Sequence, residues 1–323
     1  MGDLVVGQSL WETRAVSRGI SCRCWMLWRQ CAVAAMILGL SGPLIVARAR
    51  ADEARLTVRD DAGRVVQLAR PATRVITMLP SLTEIVCALD LCDRLVATDR
   101  YSNFPAVVTH LPKTGGIDDA SIELIVRMKP DVVVLNRSQR IEQRLTSLGV
   151  ASVALKTDDF ADIARSITVI GTLLGVPERA SMLNAKINAD VAMIATQARR
   201  ARAHRQPSVY FEVDQAPYAA GPESFIGQML TQLGLVNIAP AGYGAFPKLN
   251  PEYVVRMNPD IIFVSATEAQ ELAHRPGWAA IRAVREHRIC SFPRQLGDPV
   301  MRAGPRIATG MQMIDACVQK VLP

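Results

Sequence analysis

What most constrains the fold of this chain is a stretch that it carries twice. Residues 121–136, SIELIVRMKPDVVVLN, return as residues 250–265, NPEYVVRMNPDIIFVS. Each copy opens on Ser121 or Asn250, residues whose side-chain oxygens can accept from the free N–H groups of a first helical turn. Pro251 follows at the first helical position, where a missing N–H costs nothing. Leu124, Ile125 and Met128, and then Tyr253, Val254 and Met257, recur at the spacing of a buried helical stripe. Pro130 and Pro259 end these helices, because the residue before proline is pushed out of the α region. The apolar runs 131–135 and 260–264 then read as strands buried on both faces, which is the pattern of a parallel sheet. A helix-then-strand unit repeated half a chain apart predicts two similar α/β lobes.

The remaining segments fit that frame. Leu56 to Leu68 reads as a small hairpin, and Arg74 to Leu79 as the first core strand. Pro80-Ser81-Leu82-Thr83-Glu84 carries the S-x-x-E capping box, predicting a helix from there to about Leu91. Strands are expected over residues 94–98, 151–155, 208–213 and 288–292. Helices are expected over 139–148, 159–174, 222–233, 279–285 and 305–321. From Pro177 no breaker occurs until Gln206-Pro207, and Leu183, Ile187, Val191, Ile194 and Ala198 form one apolar stripe along about 40 Å of helix. The expected architecture is therefore α/β: two similar parallel-sheet lobes joined by one long interlobe helix. Its divisions are a targeting segment at 1–51, a first lobe at 52–175, the helix at 176–206 and a second lobe at 207–323.

Residues 1–51 belong to neither lobe. A basic stretch ending in Trp28-Arg29 precedes the apolar run 31–46 and the small residues Ala49-Arg50-Ala51, the layout of a secretory signal peptide, with Met26 as an alternative start. The run is short and broken by Gly and Pro, unlike a membrane span of about 20 apolar residues. Export makes the periplasm the expected location. Six of the 37 basic and two of the 30 acidic residues lie in this segment. The remainder has a charge of only about +3, without the basic footprint of nucleic-acid binding. No cysteine directly follows the apolar run, so a soluble product is expected and not a lipid-anchored one. Cys87, Cys92, Cys290 and Cys317 remain in a disulfide-permissive setting, either paired as 87–92 and 290–317 or as buried free thiols.

Catalytic and metal signatures are missing. There is no G-x-S-x-G, H-E-x-x-H, P-loop or G-x-G-x-x-G, and His110, His204, His274 and His287 are scattered. The sequence offers no evident catalytic residues, resident metal or cofactor.

RVITMLPSLTEI at 74–85, the loop YSNFP at 101–105, LPKTGG at 111–116, the Glu123 helix with KPDVV at 129–133, PGW at 276–278 and RAGPRI at 302–307 together resemble the periplasmic binding proteins of iron-siderophore, haem and cobalamin ABC importers. The resemblance covers nearly all of the chain after residue 51, in order. It implies a monomer that holds a metal chelate in a cleft between two lobes and delivers it to an ABC permease. The implied ligand is cobalamin or another corrinoid, with a ferric siderophore or haem as the alternative. An enzyme using the same cleft is the lesser alternative. It also implies ligand-contacting roles for Tyr101 on the first lobe, Tyr218 and Phe246 on the opposite wall, and Asp298 and Arg302 in a cleft-lining loop. One departure stands out: the corrinoid binder carries a tryptophan where this chain has Gly116-Ile117-Asp118. Trp278, by contrast, opens a helix among apolar neighbours and reads as core.

Glu123 and Glu252 occupy the same step of the two copies. Each would stabilise a helix N-terminus by typically 0.3–1 kcal/mol. The resemblance adds a second role, in which one glutamate per lobe meets arginines on the permease. Glu223, also at a helix start, is the rival on the second lobe.

Overall fold

The computed structural model describes residues 55–214, 217–293 and 297–322. The targeting segment expected over 1–51 lies outside them. Strands β1 (Leu56–Arg59) and β2 (Val65–Leu68) form an antiparallel hairpin. The first sheet contains β3 (Val75–Thr77), β4 (Leu95–Thr98), β5 (Val132–Leu135) and β6 (Ser152–Ala154), in the order β4-β3-β5-β6. All its pairings are parallel. The second sheet contains β7 (Ser208–Asp214), β8 (Tyr218–Ala219), β9 (Val236–Asn237), β10 (Ile261–Ser265) and β11 (Ile289–Phe292). Its parallel part runs β9-β7-β10-β11, with β8 antiparallel to β7. In chain order both parallel sheets therefore run second, first, third, fourth, and the repeated strands β5 and β10 hold the same place.

The helices are α1 (Pro80–Ala88), α2 (Ile122–Arg127), α3 (Gln139–Ser147), α4 (Phe160–Leu173), α5 (Pro177–Ala201), α6 (Phe225–Gln232), α7 (Pro251–Met257), α8 (Ala266–Glu271), α9 (Arg282–Arg285), α10 (Asp298–Met301) and α11 (Ile307–Val321). Both copies of the repeat are capped as their sequence requires. Ser121 Oγ accepts from Leu124 N at 3.3 Å, and Asn250 Oδ1 accepts from Glu252 N at 2.8 Å. The prolines mark the helix ends, yet the residues before them are not extended. Lys129 (φ +46°) and Asn258 (φ +48°) take the left-handed conformation that commonly closes a helix.

Alternation along each repeated strand covers both faces of its sheet. Val132 and Val134 enter one core while Val133 and Leu135 enter another with Ile125 and Leu145. In the second lobe Ile261 and Phe263 enter the first core, and Ile262 and Val264 pack with Tyr210 and Trp278. Trp278 is core, as expected, with Tyr210 edge-on at 5.8 Å. Met257, expected in the stripe, is 42% exposed, because this helix of only 7 residues buries Val254 alone fully.

The first core is shared by the lobes: Val75 and Val132, then Ile187 and Val191 of α5, then Phe211 and Phe263 belong to one cluster. The expected α5 stripe is buried at Ile187, Val191, Ile194 and Ala198 and half-buried at Leu183. The helix ends at Ala201, short of Gln206. There Arg202 turns its guanidinium onto Leu233 O (3.1 and 2.9 Å) and Asp315 (2.5 Å). Cys87 pairs with Cys92, and Cys290 on β11 pairs with Cys317 on α11. No helix among the described residues is long and apolar enough to cross a membrane.

Candidate functional site

In open parallel sheets, ligand sites form beyond the carboxyl ends of the strands. The carboxyl end of β4 leads into the loop 99–105, which rests on a buried polar network. Thr77 and Thr83 hydroxyls meet at 2.7 Å, and Thr83 meets Ser102 at 2.7 Å. Ser102 Oγ donates to Asp99, whose other oxygen accepts from Tyr101 N at 2.7 Å. Lys113 Nζ donates to Thr98 Oγ1, Ser102 O and Val108 O at 2.8–3.0 Å. Burial pushes the Asp99 carboxyl above its usual range despite these donors, and burial pushes the Lys113 amine below its own. The network fixes a loop whose outermost ring, Tyr101, is 64% exposed. Beside that ring stands Gly116, where a Cβ would lie 3.5 Å from Tyr101 Cε2 and 3.2 Å from Asp119 Oδ1, and the Arg100 guanidinium lies 5.9 Å from the ring centroid.

The same loop is bonded to the second lobe. Asn103 Nδ2 donates to Asp298 Oδ2 (3.1 Å), while Arg302 donates to Asn103 Oδ1 (2.8 Å) and to Tyr101 O (3.3 Å). Arg302 also pairs with Asp298 at 2.9 Å and with Glu84 at 2.8 Å. Glu84 is 2% exposed and takes a second guanidinium: Arg306 Nε and Nη2 donate to its two oxygens at 2.8 and 2.6 Å. Arg306 stacks over Phe104 at 4.0 Å. Between them, Gly304 allows the chain to pass close to α1, where a Cβ would meet Ser81 Cβ at 3.2 Å.

Glu84 thus corrects the capping box expected from sequence. The N-cap of α1 is Leu79, without a side-chain bond, and Pro80 starts the helix. Two charged donors from the other lobe outcompete a neutral N–H for the carboxylate.

On the second lobe a cavity of about 570 Å³ opens at the carboxyl ends of β7, β10 and β11. Its wall includes Glu212, Asp214, Ser265, Thr267, Glu268, Asp298, Phe211, Phe292 and Met301. Asp298 therefore belongs both to this wall and to the contact with Asn103. Glu212 is satisfied by Arg275, with two bonds of 2.8 Å, and by Tyr210 Oη at 2.9 Å. Arg275 in turn covers the Trp278 ring at 4.7 Å. Burial, with Glu212 alongside, pushes the Tyr210 phenol far above its usual range.

The residues expected in the cleft separate into two groups. Tyr101, Asp298 and Arg302 come together through the bonds above. Tyr218 (40% exposed) and Phe246 (37% exposed) lie on adjacent segments of the second lobe, where Ala219 N donates to Pro247 O at 2.9 Å. Phe246 packs edge-on to Phe225 at 6.3 Å. Arg302, with its side chain 12% exposed, is engaged by four partners and serves the junction between lobes. Glu84, Asn103, Arg306, Asp214 and Glu268 were not singled out as site residues from sequence. Arg306 stands inside the RAGPRI stretch, so a second arginine four residues after Arg302 was the available signal.

Glu123 and Glu252 are exposed in the first turns of α2 and α7, and neither carboxylate has a hydrogen bond or ion pair among the described residues. Glu223 differs, since its carboxylate accepts from Gly242 N at 2.6 Å. Among the described residues no group of three or more His, Cys, Asp or Glu could hold a metal ion.

Comparison with known proteins agrees with this geometry. The family described as periplasmic binding protein matches residues 75–296. An uncharacterized ABC transporter substrate-binding lipoprotein of Bacillus subtilis is 27% identical over 266 residues, covering 80% of this chain and 83% of its own. A vitamin B12-binding protein of Vibrio cholerae is 27% identical over 218 residues, covering 66% and 76%. Among solved structures, a periplasmic heme-binding protein from Roseiflexus in apo form superposes with a TM-score of 0.68 at 24% identity, covering 77% of this chain and 99% of that one.

Proposed function

The chain belongs to the periplasmic binding protein family, and from that premise we propose that it captures a cobalamin or another corrinoid in the cleft between its lobes and presents it to an ABC permease. Membership makes it an extracytoplasmic substrate-binding protein of a transporter, not an enzyme. The corrinoid is the finer step. It rests on the vitamin B12-binding relatives together with one observation: an exposed tyrosine on a rigidly held loop faces outward beside a glycine, next to a second-lobe cavity bonded to that loop through Asp298. A flat ring face and a roomy, partly apolar cavity suit a large macrocycle. The ligand arrives with its own metal, so the protein needs no resident cofactor.

Glu123 and Glu252 are the proposed docking contacts. Both are free and exposed, at matching places in lobes of the same topology, so the permease meets one negative charge from each side. Glu223, already bonded to a backbone N–H, is the weaker candidate. The protein acts as a monomer in this scheme.

The test is calorimetry of purified residues 52–323 against cyanocobalamin, haemin and a ferric hydroxamate. One-to-one binding is expected, tightest for cyanocobalamin. Preference for haemin or the ferric chelate would replace the corrinoid while keeping the receptor. Absence of heat with all three would sink the ligand class.

A further inference from the structure

Among the described residues, the second-lobe wall of the cleft carries two carboxylates that form no ion pair. Arg275 answers Glu212 through both terminal nitrogens. Arg302 and Arg306 answer Glu84 and Asp298. That leaves Asp214 and Glu268 in the cavity wall, with no ion pair to either among the described residues. Asp214 is exposed, as expected of an unpaired carboxylate. Glu268 is the exception, because it is only 6% exposed and still lines the cavity.

Local structure does not account for its carboxylate. Ser265 and Glu268 stand in S-x-x-E spacing, and Ser265 Oγ does accept from Glu268 N at 3.3 Å. The reciprocal bond from the Glu268 carboxylate back to the Ser265 N–H, which would complete a capping box, is not made. No other donor reaches that carboxylate among the described residues. Its oxygens are not among the buried side-chain atoms that lack a partner, so they open onto the cavity, within electrostatic reach of Arg275. Opening onto a cavity, the carboxylate is placed to accept from a donor that arrives with the ligand.

We infer that this wall is a subsite for N–H donors or positive charge on the ligand, with Glu268 as the principal acceptor, Asp214 as the second, and the Ser265 and Thr267 hydroxyls beside them. The inference rests on the receptor reading and sharpens it into a rule of selection. Ligands whose rim carries amides or ammonium groups are accepted, and ligands that present carboxylates to this wall are rejected by like charge. Glu268 becomes the specificity-determining residue of the second lobe.

Two matched pairs of probes test the rule: cyanocobalamin against its derivative with one peripheral amide hydrolysed to a carboxylate, and haemin against its diamide. Within each pair the ring is unchanged and only the rim differs. The amide member should bind at least about tenfold more tightly, since a charge-assisted hydrogen bond is replaced by two facing carboxylates. Glu268→Gln should narrow that gap several-fold, mainly by improving the carboxylate member. If amide and carboxylate members bind equally, or if Glu268→Gln leaves the gap unchanged, the subsite is overturned while the receptor reading stands. If cyanocobalamin fails but haemin diamide outcompetes haemin, the corrinoid falls and the subsite stands. Heat from none of the four overturns both.

Discussion

Removing Glu84 should show how much of the molecule's stability lies in the seam between its lobes. The carboxylate is 2% exposed and receives three bonds of 2.6–2.8 Å from Arg302 and Arg306. In Glu84→Ala, Arg302 keeps Asp298, Asn103 and the Tyr101 carbonyl. Arg306 keeps only the Phe104 ring, so a half-buried guanidinium loses its counter-charge. Breaking a buried pair from one side costs about 3–5 kcal/mol. Arg306 is 22% exposed, which puts the expected loss near the lower end, about 3 kcal/mol. A capping-box role for the same residue would give only about 1 kcal/mol. Urea denaturation followed by far-UV circular dichroism separates these values. The companion measurement is a double-mutant cycle with Arg306→Ala, which should recover at least about 1 kcal/mol of the loss by removing the stranded charge. A loss below about 1 kcal/mol, or strict additivity with Arg306→Ala, would refute the interlobe clamp.

Three further outcomes are expected. Glu123→Ala with Glu252→Ala should leave calorimetric ligand affinity unchanged and reduce permease-dependent uptake, and undiminished uptake would dismiss the docking role. Asp131 is pushed up by burial, but donors from Thr73 N, Thr73 Oγ1 and Arg74 N prevail and hold it below the usual carboxylate range. Its ionised form therefore stabilises the fold above the unfolded value of about 3.9, and that contribution is lost as pH falls through the lower folded value. Asp131→Asn should flatten the acid limb of urea midpoints measured below about pH 4, and an unchanged limb would refute this. Replacing Cys317, whose bridge to Cys290 spans 27 residues, should cost about 3.5 kcal/mol against about 2 kcal/mol for Cys92, whose bridge spans 5, when both are measured by denaturation. Equal losses would argue against loop entropy as the source.

The repeat was legible because its signals are local. Cap residues, helical stripe, proline and apolar run all lie within sixteen residues, and both copies fold as that order predicts. Less local features were missed. The two-residue strands β8 and β9 exist only because β7 is there to pair with them. Asp131 and Asp260 read as strand starts, yet each lies just outside its strand and clamps the chain entering the neighbouring one. Asp131 accepts from Thr73 and Arg74, and Asp260 accepts from Ser208 N and Oγ, both at 2.9 Å. Glu84 was misread for the same reason. Its partners stand 218 and 222 residues away, and the S-x-x-E spacing carried a plausible local use that tertiary contacts override. Within the candidate site, the family resemblance drew attention to Tyr101 and to the loop of Asp298, but not to Glu268, whose carboxylate has no hydrogen bond or ion pair among the described residues.

The matched strand order also determines when each lobe can close as the chain emerges N-terminus first. The first sheet has all its strands once Ala154 has appeared, and α4 and α5 follow directly. The second sheet waits for Phe292, and its disulfide waits for Cys317 on the last helix. The early lobe with α5 can therefore serve as a template while the late lobe is still arriving. α11, which packs against α5, is laid on it only after the strands of the second sheet have appeared. A chain cut before Ile307 would leave that flank of α5 uncovered and Cys290 without its mate. α11 thus acts as a latch, since only a chain that includes it buries the surface that the first lobe and α5 have prepared.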